Sequence, residues 1–453
     1  MSDALPLPPR PNLEQYKKRA KDLVKICKSG DRDALRAWVK EWIEALVKLY
    51  DLDITLPRDA HRAYTAAEIG YRIERTVDRV TQHLDVTHQP PRGACTLAQA
   101  QFAVAREHGF ASWPKFARHM AGLARAHSPV SAFENAVDAI VSGDLATLEK
   151  LLGENPTLVR ARSTREHRST LLHYVSANGV EDFRQKTPKN IVEITKLLLK
   201  AGADVNAESD AYGGRSTTLG LTATSCHPEA AGVQPALMEL LIEHGARIDA
   251  PDGGSAVNGC LHNGRGEAAE FLAGRGARLD LEGAAGVGRL DVVKSFFTDD
   301  GSLKPPATQK QMKAGFAWAC EFGRTGVVDF LLQKGMDVEA KLNQEGGETG
   351  LHWAAYEGHA DIVRLLLERG APVDAKDARH DGTPLGWALY AWGTSPDRAE
   401  RRGYYEAVAL LARAGAKLDP QWYEEDLDRL RTAKKIQSDA RMLAALRGQM
   451  PAT

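Results

Sequence analysis

The sequence predicts an all-α protein in which stacked helical repeats follow a small helical domain. A motif with two short apolar segments, a central glycine and a closing Gly-Ala recurs at intervals of about 33 residues, which is typical of stacked-repeat arrays. Upstream of the first copy, apolar residues recur at helical spacing without that motif. We therefore expect a helical domain at 1–125, about eight repeats over 131–419 and a helical cap at 420–453.

The N-terminal region has the sequence signals of several helices. Leu13, Tyr16, Ala20 and Leu23 share one face of a first helix, which Gly30 is expected to end. Further helices are predicted in the runs 38–50, 65–84 and 96–120.

The best copy of the repeat is TGLHWAAYEGHADIVRLLLERGAPVDAK at 349–376. Thr349 can cap a first helix, and Gly358 can end it in a left-handed conformation. A second helix follows with apolar residues at spacings of three and four, and Gly370 ends it. The chain beyond Gly370 is rich in turn residues and predicts a projecting hairpin. Two such short helices cannot bury their apolar faces alone, so neighbouring repeats must stack.

This motif resembles the ankyrin repeat. In the best copy the residues on the family's pattern are Thr349, Leu351, His352, Ala354, Ala355, Gly358, His359, Ile362, Val363, Leu365, Leu366, Leu367, Gly370 and Ala371. The resemblance implies an ankyrin-repeat solenoid of helix-turn-helix-hairpin units, in which His352 and the equivalent His173 make structural hydrogen bonds in turns. Gly350 stands where the family has proline, and Gly220, Asn258, Glu282, Ala317 and Gly386 stand where it has histidine.

The N-terminal region has a resemblance of its own. The motifs LPPRPNLEQYKKRAKDL and FAVAREHGFASWPKF are similar to the helical segment that precedes ankyrin repeats in many bacterial proteins. That resemblance implies no chemistry. After the last repeat, Leu427, Leu430, Ala433 and Ile436 recur at helical spacing and predict the C-terminal cap.

Composition excludes several classes of function. The 59 basic and 60 acidic residues nearly cancel, so we expect neither a nucleic-acid nor a membrane partner. No apolar run approaches the roughly 18 residues of a transmembrane helix, and the first residues lack the pattern of a secretory signal. The five cysteines are widely spaced and odd in number, which indicates a reducing cytoplasm rather than a disulfide framework or a metal site.

No catalytic or cofactor motif stands out, and we predict a non-enzymatic protein without cofactors. The glycine-rich GAAGVG at 283–288 lies where a repeat helix is expected, so it does not have the strand-turn-helix context of a nucleotide site. An alternative is that residues 1–125 form a small enzyme or a ligand-binding regulatory domain that the array targets. The ionisable groups available for it are His83, His88, His108 and Glu107.

The leading hypothesis is an adaptor or scaffold that binds an unidentified protein partner on the concave face of the array. The motif residues hold the stack, so two positions after each Ala-Ala pair are expected to face the partner, together with hairpin residues. The expected contact residues are His262, Asn263, Glu321, Phe322, Tyr356, Glu357 and Tyr390, with Arg379 and His380 from a hairpin. Phe322, Tyr356 and Tyr390 are expected to lie next to each other as aromatic anchors, whereas Trp353 and Trp387 are expected in the core.

Three repeats carry extra residues between their two helices, at 180–190, 226–234 and 391–405. Insertions that cluster on one edge of an array often mark a binding face. The alternative is that they fill space, because lengthening a loop costs little. The sequence leaves both possibilities open.

Overall fold

A computed structural model of the chain describes residues 4–8, 11–52, 66–85, 95–178, 180–250, 254–342, 346–378, 380–394, 403–418, 422 and 427–450. The predicted all-α class is confirmed, because helix predominates over these ranges. Their only strands are β1 (Glu208–Ser209) and β2 (Ser216–Thr217), which pair antiparallel in one hairpin. The chain forms two compact units that divide between Ile248 and Asp249.

The first unit contains the predicted helical domain and the first repeats. Its α-helices are α1 (Leu13–Ser29), α2 (Arg32–Leu49), α3 (Ala66–Asp85), α4 (Leu97–Glu107), α5 (Trp113–Leu123), α6 (Pro129–Ser142), α7 (Leu145–Glu154), α8 (Ile191–Lys200), α9 (Thr218–Thr224), α10 (Cys226–Ala230) and α11 (Gln234–Glu243). Short 3₁₀ helices lie at Pro156–Arg160, Leu171–Ser176, Asp182–Arg184 and Ala211–Gly213.

The second unit contains the remaining repeats and the C-terminal helices. Its helices are α12 (Ala256–His262), α13 (Gly266–Gly274), α14 (Leu281–Gly286), α15 (Leu290–Ser295), α16 (Gln309–Glu321), α17 (Thr325–Gln333), α18 (Gly350–Tyr356), α19 (Ala360–Glu368), α20 (Pro384–Thr394), α21 (Tyr404–Arg413), α22 (Leu427–Ser438) and α23 (Ala440–Leu446).

The helices of the N-terminal domain pack around one apolar core. Tyr16, Ala20 and Leu23 are buried on one face of α1, as their spacing predicts. The side chain of Asn12 caps α1, and Gly30 ends it with φ of 68°. This core also includes Phe183 of the first insertion, and the ends of α1 are set by ordinary capping residues.

Small residues let the first helices of neighbouring repeats approach closely. Ala354 and Ala355 of α18 are fully buried, and α18 contacts both α16 and α20. A Cβ atom added to Gly350 would lie 2.9 Å from Cys320 Sγ and from the ring of Phe316. The glycine at the usual proline position thus fits a tight contact with the preceding repeat.

The hairpins bind the next repeat through an Asn or Asp side chain that the sequence analysis overlooked. Asn206 accepts from the backbone N–H of Arg247 at 2.9 Å, and Asp374 accepts from that of Lys417 at 3.0 Å. Both acceptors stand at the same place in the motif, in GADVNA and GAPVDA. Their recurrence at a fixed distance after Gly-Ala was the signal that could have revealed the contact.

Two parts of the array depart from the regular repeat. In the second repeat the first helix is only the 3₁₀ turn Leu171–Ser176, which Ala177 ends with φ of 43°. The repeat at 281–297 has short helices, because α14 and α15 are six residues each. The C-terminal cap is helical, but it breaks at Asp439 into α22 and α23.

The predicted apolar stripe of that cap is partly wrong. Leu430 is 40 % exposed, whereas Thr432 and Ile436 are buried. Thr432 lies against Gly393 of α20, where an added Cβ would overlap the threonine hydroxyl. Thr432, rather than Leu430, therefore makes the close contact with α20.

We predict that Ala354→Leu strongly destabilises the second unit. Three additional carbons at a tight helix contact cost about 1–3 kcal/mol of the free energy of unfolding. Urea unfolding followed by circular dichroism measures the loss. Ala414→Leu is the matched control, because Ala414 is exposed and its replacement should change the free energy of unfolding by less than about 0.5 kcal/mol. Equal losses in the two variants would contradict the observed packing.

Candidate functional site

A threonine–histidine pair fixes the start of two first helices. The backbone N–H of Thr349 donates to His352 Nδ1 at 3.1 Å, and His352 Nε2–H donates to the Gly382 carbonyl of the following hairpin at 3.1 Å. Thr170 and His173 make the equivalent contacts. Burial lowers the pKa of His352 and lowers that of His173 to about 4. Both rings are therefore neutral at pH 7 and have the structural role that the sequence predicted.

A second set of hydrogen bonds joins three repeats of the second unit, each to the one before it. Arg324 Nε donates to Gly286 O at 3.0 Å, and His359 Nε2 donates to Glu321 O at 2.9 Å. In the next repeat the Tyr404 hydroxyl donates to the backbone carbonyl of Tyr356 at 2.8 Å. Each acceptor is the carbonyl at the same position of a first helix. The backbone carbonyls at this position are therefore used for stacking, so a partner would have to contact the side chains.

Three aromatic side chains form a cluster at the centre of the candidate site, which we call the aromatic cluster: Trp353, Tyr356 and Trp387. The Trp353 and Trp387 rings are 5.3 Å apart, and the Tyr356 ring is 5.7 Å from Trp387 and 6.3 Å from Trp353, all in edge-to-face geometry. All three are half-buried. Both tryptophans were expected in the core: Trp353 is half-buried and packs against it, and Trp387 is half-buried.

The adjacent hairpin is held in place by Asp377, which is buried. Its carboxylate accepts from the backbone N–H of His380 at 2.7 Å, from that of Gly382 at 2.9 Å and from Trp387 Nε1 at 3.0 Å. His380 itself is exposed, as predicted. Arg379 lies outside the described residues. One carboxylate thus fixes both the hairpin and one ring of the aromatic cluster.

The structure does not group Phe322 with the aromatic cluster. Its ring lies over Gly266, where an added Cβ would be 2.7 Å from the ring. Aligned on the glycine that follows each first helix, Phe322 corresponds to Glu357, and Glu321 corresponds to Tyr356. Phe322 and Tyr356 were expected to be neighbours, but they occupy positions that differ by one residue in their repeats. Phe322 instead packs over Gly266 of an earlier repeat.

The other expected contact residues differ in exposure. His262 and Asn263 are exposed at the end of α12, and Tyr390 and Glu321 are half-buried. Glu357 is only 7 % exposed, so it offers a partner little surface. His262, Asn263 and His380, which are exposed, and the aromatic cluster remain candidate contact residues.

The insertion at 180–190 is part of the interior of the first unit. Glu181, Phe183, Arg184 and Gln185 are all buried. Phe183 belongs to the apolar core of the N-terminal helices, and Arg184 donates to the carboxylates of Glu181 and Glu134 at 2.8 and 2.5 Å. For this insertion the packing alternative is the one that the contacts support.

The other two insertions are less informative. In the insertion at 226–234, the Gln234 side chain donates to three backbone carbonyls, the nearest 2.9 Å away on Thr222. Gln234 thus satisfies the carbonyl groups at the end of α9, which is a structural role within the repeat. Residues 395–402 of the third insertion lie outside the described part of the chain.

The ionisable groups considered for an enzyme have structural partners. Glu107 is buried and pairs with Arg79 at 2.7 Å. His108 is buried with Nδ1 2.8 Å from Leu5 O, and burial lowers its pKa to about 3. Burial also lowers the pKa of His83, and His88 lies outside the described residues.

Neither a cluster of metal ligands nor a membrane-spanning helix occurs within the described ranges. There, no group of three or more His, Cys, Asp or Glu side chains could hold a metal ion. No helix in this part of the chain combines the length and apolar character needed to cross a bilayer.

Comparison with known proteins finds a known repeat family in part of the second unit. A family model described as ankyrin repeats (three copies) matches residues 281–377 and 316–421. Residues 281–421 are ankyrin repeats. Ankyrin repeats generally mediate protein–protein interaction and are typically non-enzymatic. No curated protein matches the chain.

The match covers the aromatic cluster and its hairpin. For the repeat copies upstream of residue 281, the ankyrin assignment stays a prediction from the motif. The bacterial resemblance of the N-terminal domain also stays a prediction.

We predict that the ankyrin repeats lose stability as the pH falls below about 6.5, partly through His352. Because burial lowers the pKa of His352, the unfolded chain takes up the proton first, and each such histidine removes up to about 1.4 kcal/mol of unfolding free energy per pH unit. Urea unfolding at a series of pH values measures this slope. His352→Gln should flatten the slope, whereas His380→Gln, which changes an exposed ring, should not. Identical slopes in both variants would contradict the neutral, hydrogen-bonded state.

Proposed function

We propose that the protein is a non-enzymatic adaptor that binds a protein partner with its ankyrin repeats, centred on the aromatic cluster. The observation that carries this proposal is that Trp353, Tyr356 and Trp387, from two successive repeats, form one edge-to-face cluster whose rings are only half-buried. Large, stiff aromatic side chains of this kind are enriched among the residues that dominate binding energy.

The surroundings of the cluster support the same function. Tyr356 and Tyr390 occupy the same position of successive first helices, so one rigid partner can reach both. Exposed His262, Asn263 and His380 would add polar contacts at the rim, where interfaces remain solvated. The backbone below is fixed by hydrogen bonds between repeats, so little conformational entropy is lost when a partner binds.

Several finer statements belong to the proposal. The partner is a protein rather than a nucleic acid or a membrane, because the net charge of the chain is only −1. The cytoplasm is the proposed location, because all five cysteines are free thiols. No cofactor is proposed for the adaptor.

We predict that Tyr356→Ala combined with Tyr390→Ala abolishes capture of the partner while the protein stays folded. Truncating an aromatic anchor costs about 2 kcal/mol or more of binding free energy. The purified protein is immobilised on beads and incubated with a lysate of its source cells. Quantitative mass spectrometry of the bound proteins then measures the loss. Circular dichroism and the melting temperature show whether the fold is retained.

Tyr71→Ala is the matched control, because Tyr71 is 64 % exposed on α3 of the first unit. It should leave the set of captured proteins unchanged. If the tyrosine pair can be truncated without loss of any specifically bound protein, the partner does not bind at the aromatic cluster.

A further inference from the structure

Two helices of the first unit, α1 and α4, pack against each other. The ring of Tyr16, in the first turn of α1, lies 5.0 Å from the ring of His108, which directly follows α4. The start of α1 thus meets the end of α4, so the pair runs antiparallel. At its opposite end are Cys27, in the last turn of α1, and Cys95, just before the N-cap residue Thr96 of α4. These are the two cysteines of residues 1–125.

The register of this helix pair places the two cysteines opposite each other. Cys27 is eleven residues beyond Tyr16, and Cys95 is thirteen residues before His108. At a rise of about 1.5 Å per residue, both lie roughly 16–20 Å from the ring contact. Cys27 also follows the buried Leu23 by four residues, so it continues the stripe of α1 that packs into the core of the domain.

The two side chains interact in the folded protein. The Cys95 thiol is 5 % exposed and shares a hydrogen bond with Cys27, which is half-buried and can be reached by a small solute. Burial, and after it this hydrogen bond, raises the pKa of Cys95 to about 12, whereas the positive charge of Lys28 acts in the opposite direction. Cys95 is therefore a protonated thiol at pH 7, and the more accessible Cys27 is the sulfur that an oxidant meets first.

We propose that Cys27 and Cys95 form a reversible disulfide when the protein meets hydrogen peroxide, and that this bond ties the end of α1 to the start of α4. Two thiols that already interact need little backbone movement to be joined. A transient disulfide of this kind is compatible with a reducing compartment, where lasting structural disulfides are rare. The proposal concerns the first unit alone and does not depend on the adaptor function.

The reaction consists of two displacement steps. The Cys27 thiolate attacks one oxygen of hydrogen peroxide, the O–O bond breaks and hydroxide leaves, so that Cys27 becomes a sulfenic acid. The Cys95 sulfur then attacks the Cys27 sulfur, the S–O bond breaks, and the departing hydroxide takes the proton of Cys95 and leaves as water. In total the two thiols lose two electrons and two protons, and one hydrogen peroxide becomes two waters. A small dithiol reverses the change by thiol–disulfide exchange and is itself oxidised.

The other cysteines provide a control for this pair. Cys260 and Cys320 are free thiols buried in the repeats of the second unit. Cys226 is a free thiol at the start of α10 and is half-buried like Cys27. Cys226→Ser is therefore the matched control for Cys27→Ser, because both changes remove a partly accessible thiol.

Peptide mapping of the full-length protein by mass spectrometry, without prior reduction, tests the proposal after treatment with hydrogen peroxide in native buffer. A peptide pair that joins Cys27 to Cys95 should be the main product and should vanish after dithiothreitol is added. Cys27→Ser and Cys95→Ser should each abolish it, whereas Cys226→Ser should form it like the unaltered protein. In concentrated urea the bond should form at least about tenfold more slowly, because the unfolded chain must first close a long loop.

The proposal is overturned if no such peptide pair forms, if the bond forms as fast in urea as in native buffer, or if Cys226→Ser lowers the yield as much as Cys27→Ser. It is also overturned if peroxide converts Cys27 to the sulfinic acid while Cys95 stays a free thiol, since the two sulfur atoms then do not reach each other. Circular dichroism of each variant shows that any difference arises in a folded protein.

Discussion

The hydrogen bonds that join consecutive repeats are the constraint on which the ankyrin block depends. Carbonyl groups at helix ends need donors when they are shielded from water. Gly286, Glu321 and Tyr356 obtain those donors from the repeat that follows each of them, through Arg324, His359 and Tyr404. Side chains as different as arginine, histidine and tyrosine perform the same task at one position. The register of the stack is therefore fixed by geometry rather than by residue type.

The fold could be predicted because the motif consists of residues that start and end helices. Thr349 and His352 start a helix, and Gly358 and Gly370 end two helices, so their spacing determines the unit. The exposure of individual side chains depends on neighbours that the motif does not specify. Phe322 packs over Gly266, where any side chain would overlap its ring. Trp353 is half-buried, whereas Ala354 and Ala355 next to it fill the contact between neighbouring helices. A shift of one position separates Phe322 from Tyr356, and the sequence does contain that signal, because Phe322 directly precedes Gly323 whereas Tyr356 stands two residues before Gly358.

The first insertion shows why charged residues are hard to place from sequence. The run VEDFRQKTPKN is polar and resembles a solvated loop, yet Glu181 and Arg184 are buried. Their burial is possible because Glu134 and Arg165, far away in sequence, complete the network. Removing one member of such a network leaves a buried charge uncompensated, which costs about 3–5 kcal/mol. The insertion is thus an integral part of the first unit. Its extra residues pack against the N-terminal helices instead of forming a loop that a partner could bind.

The two units use their polar and aromatic residues in opposite ways. In the first unit the side chains of α6 and the insertion pair with one another in a buried network of charges, beside a small cavity. In the second unit the hairpin carboxylate of Asp377 and the small residues of the stack leave three aromatic rings half-exposed. Projecting rings on a rigid stack suit a macromolecular surface.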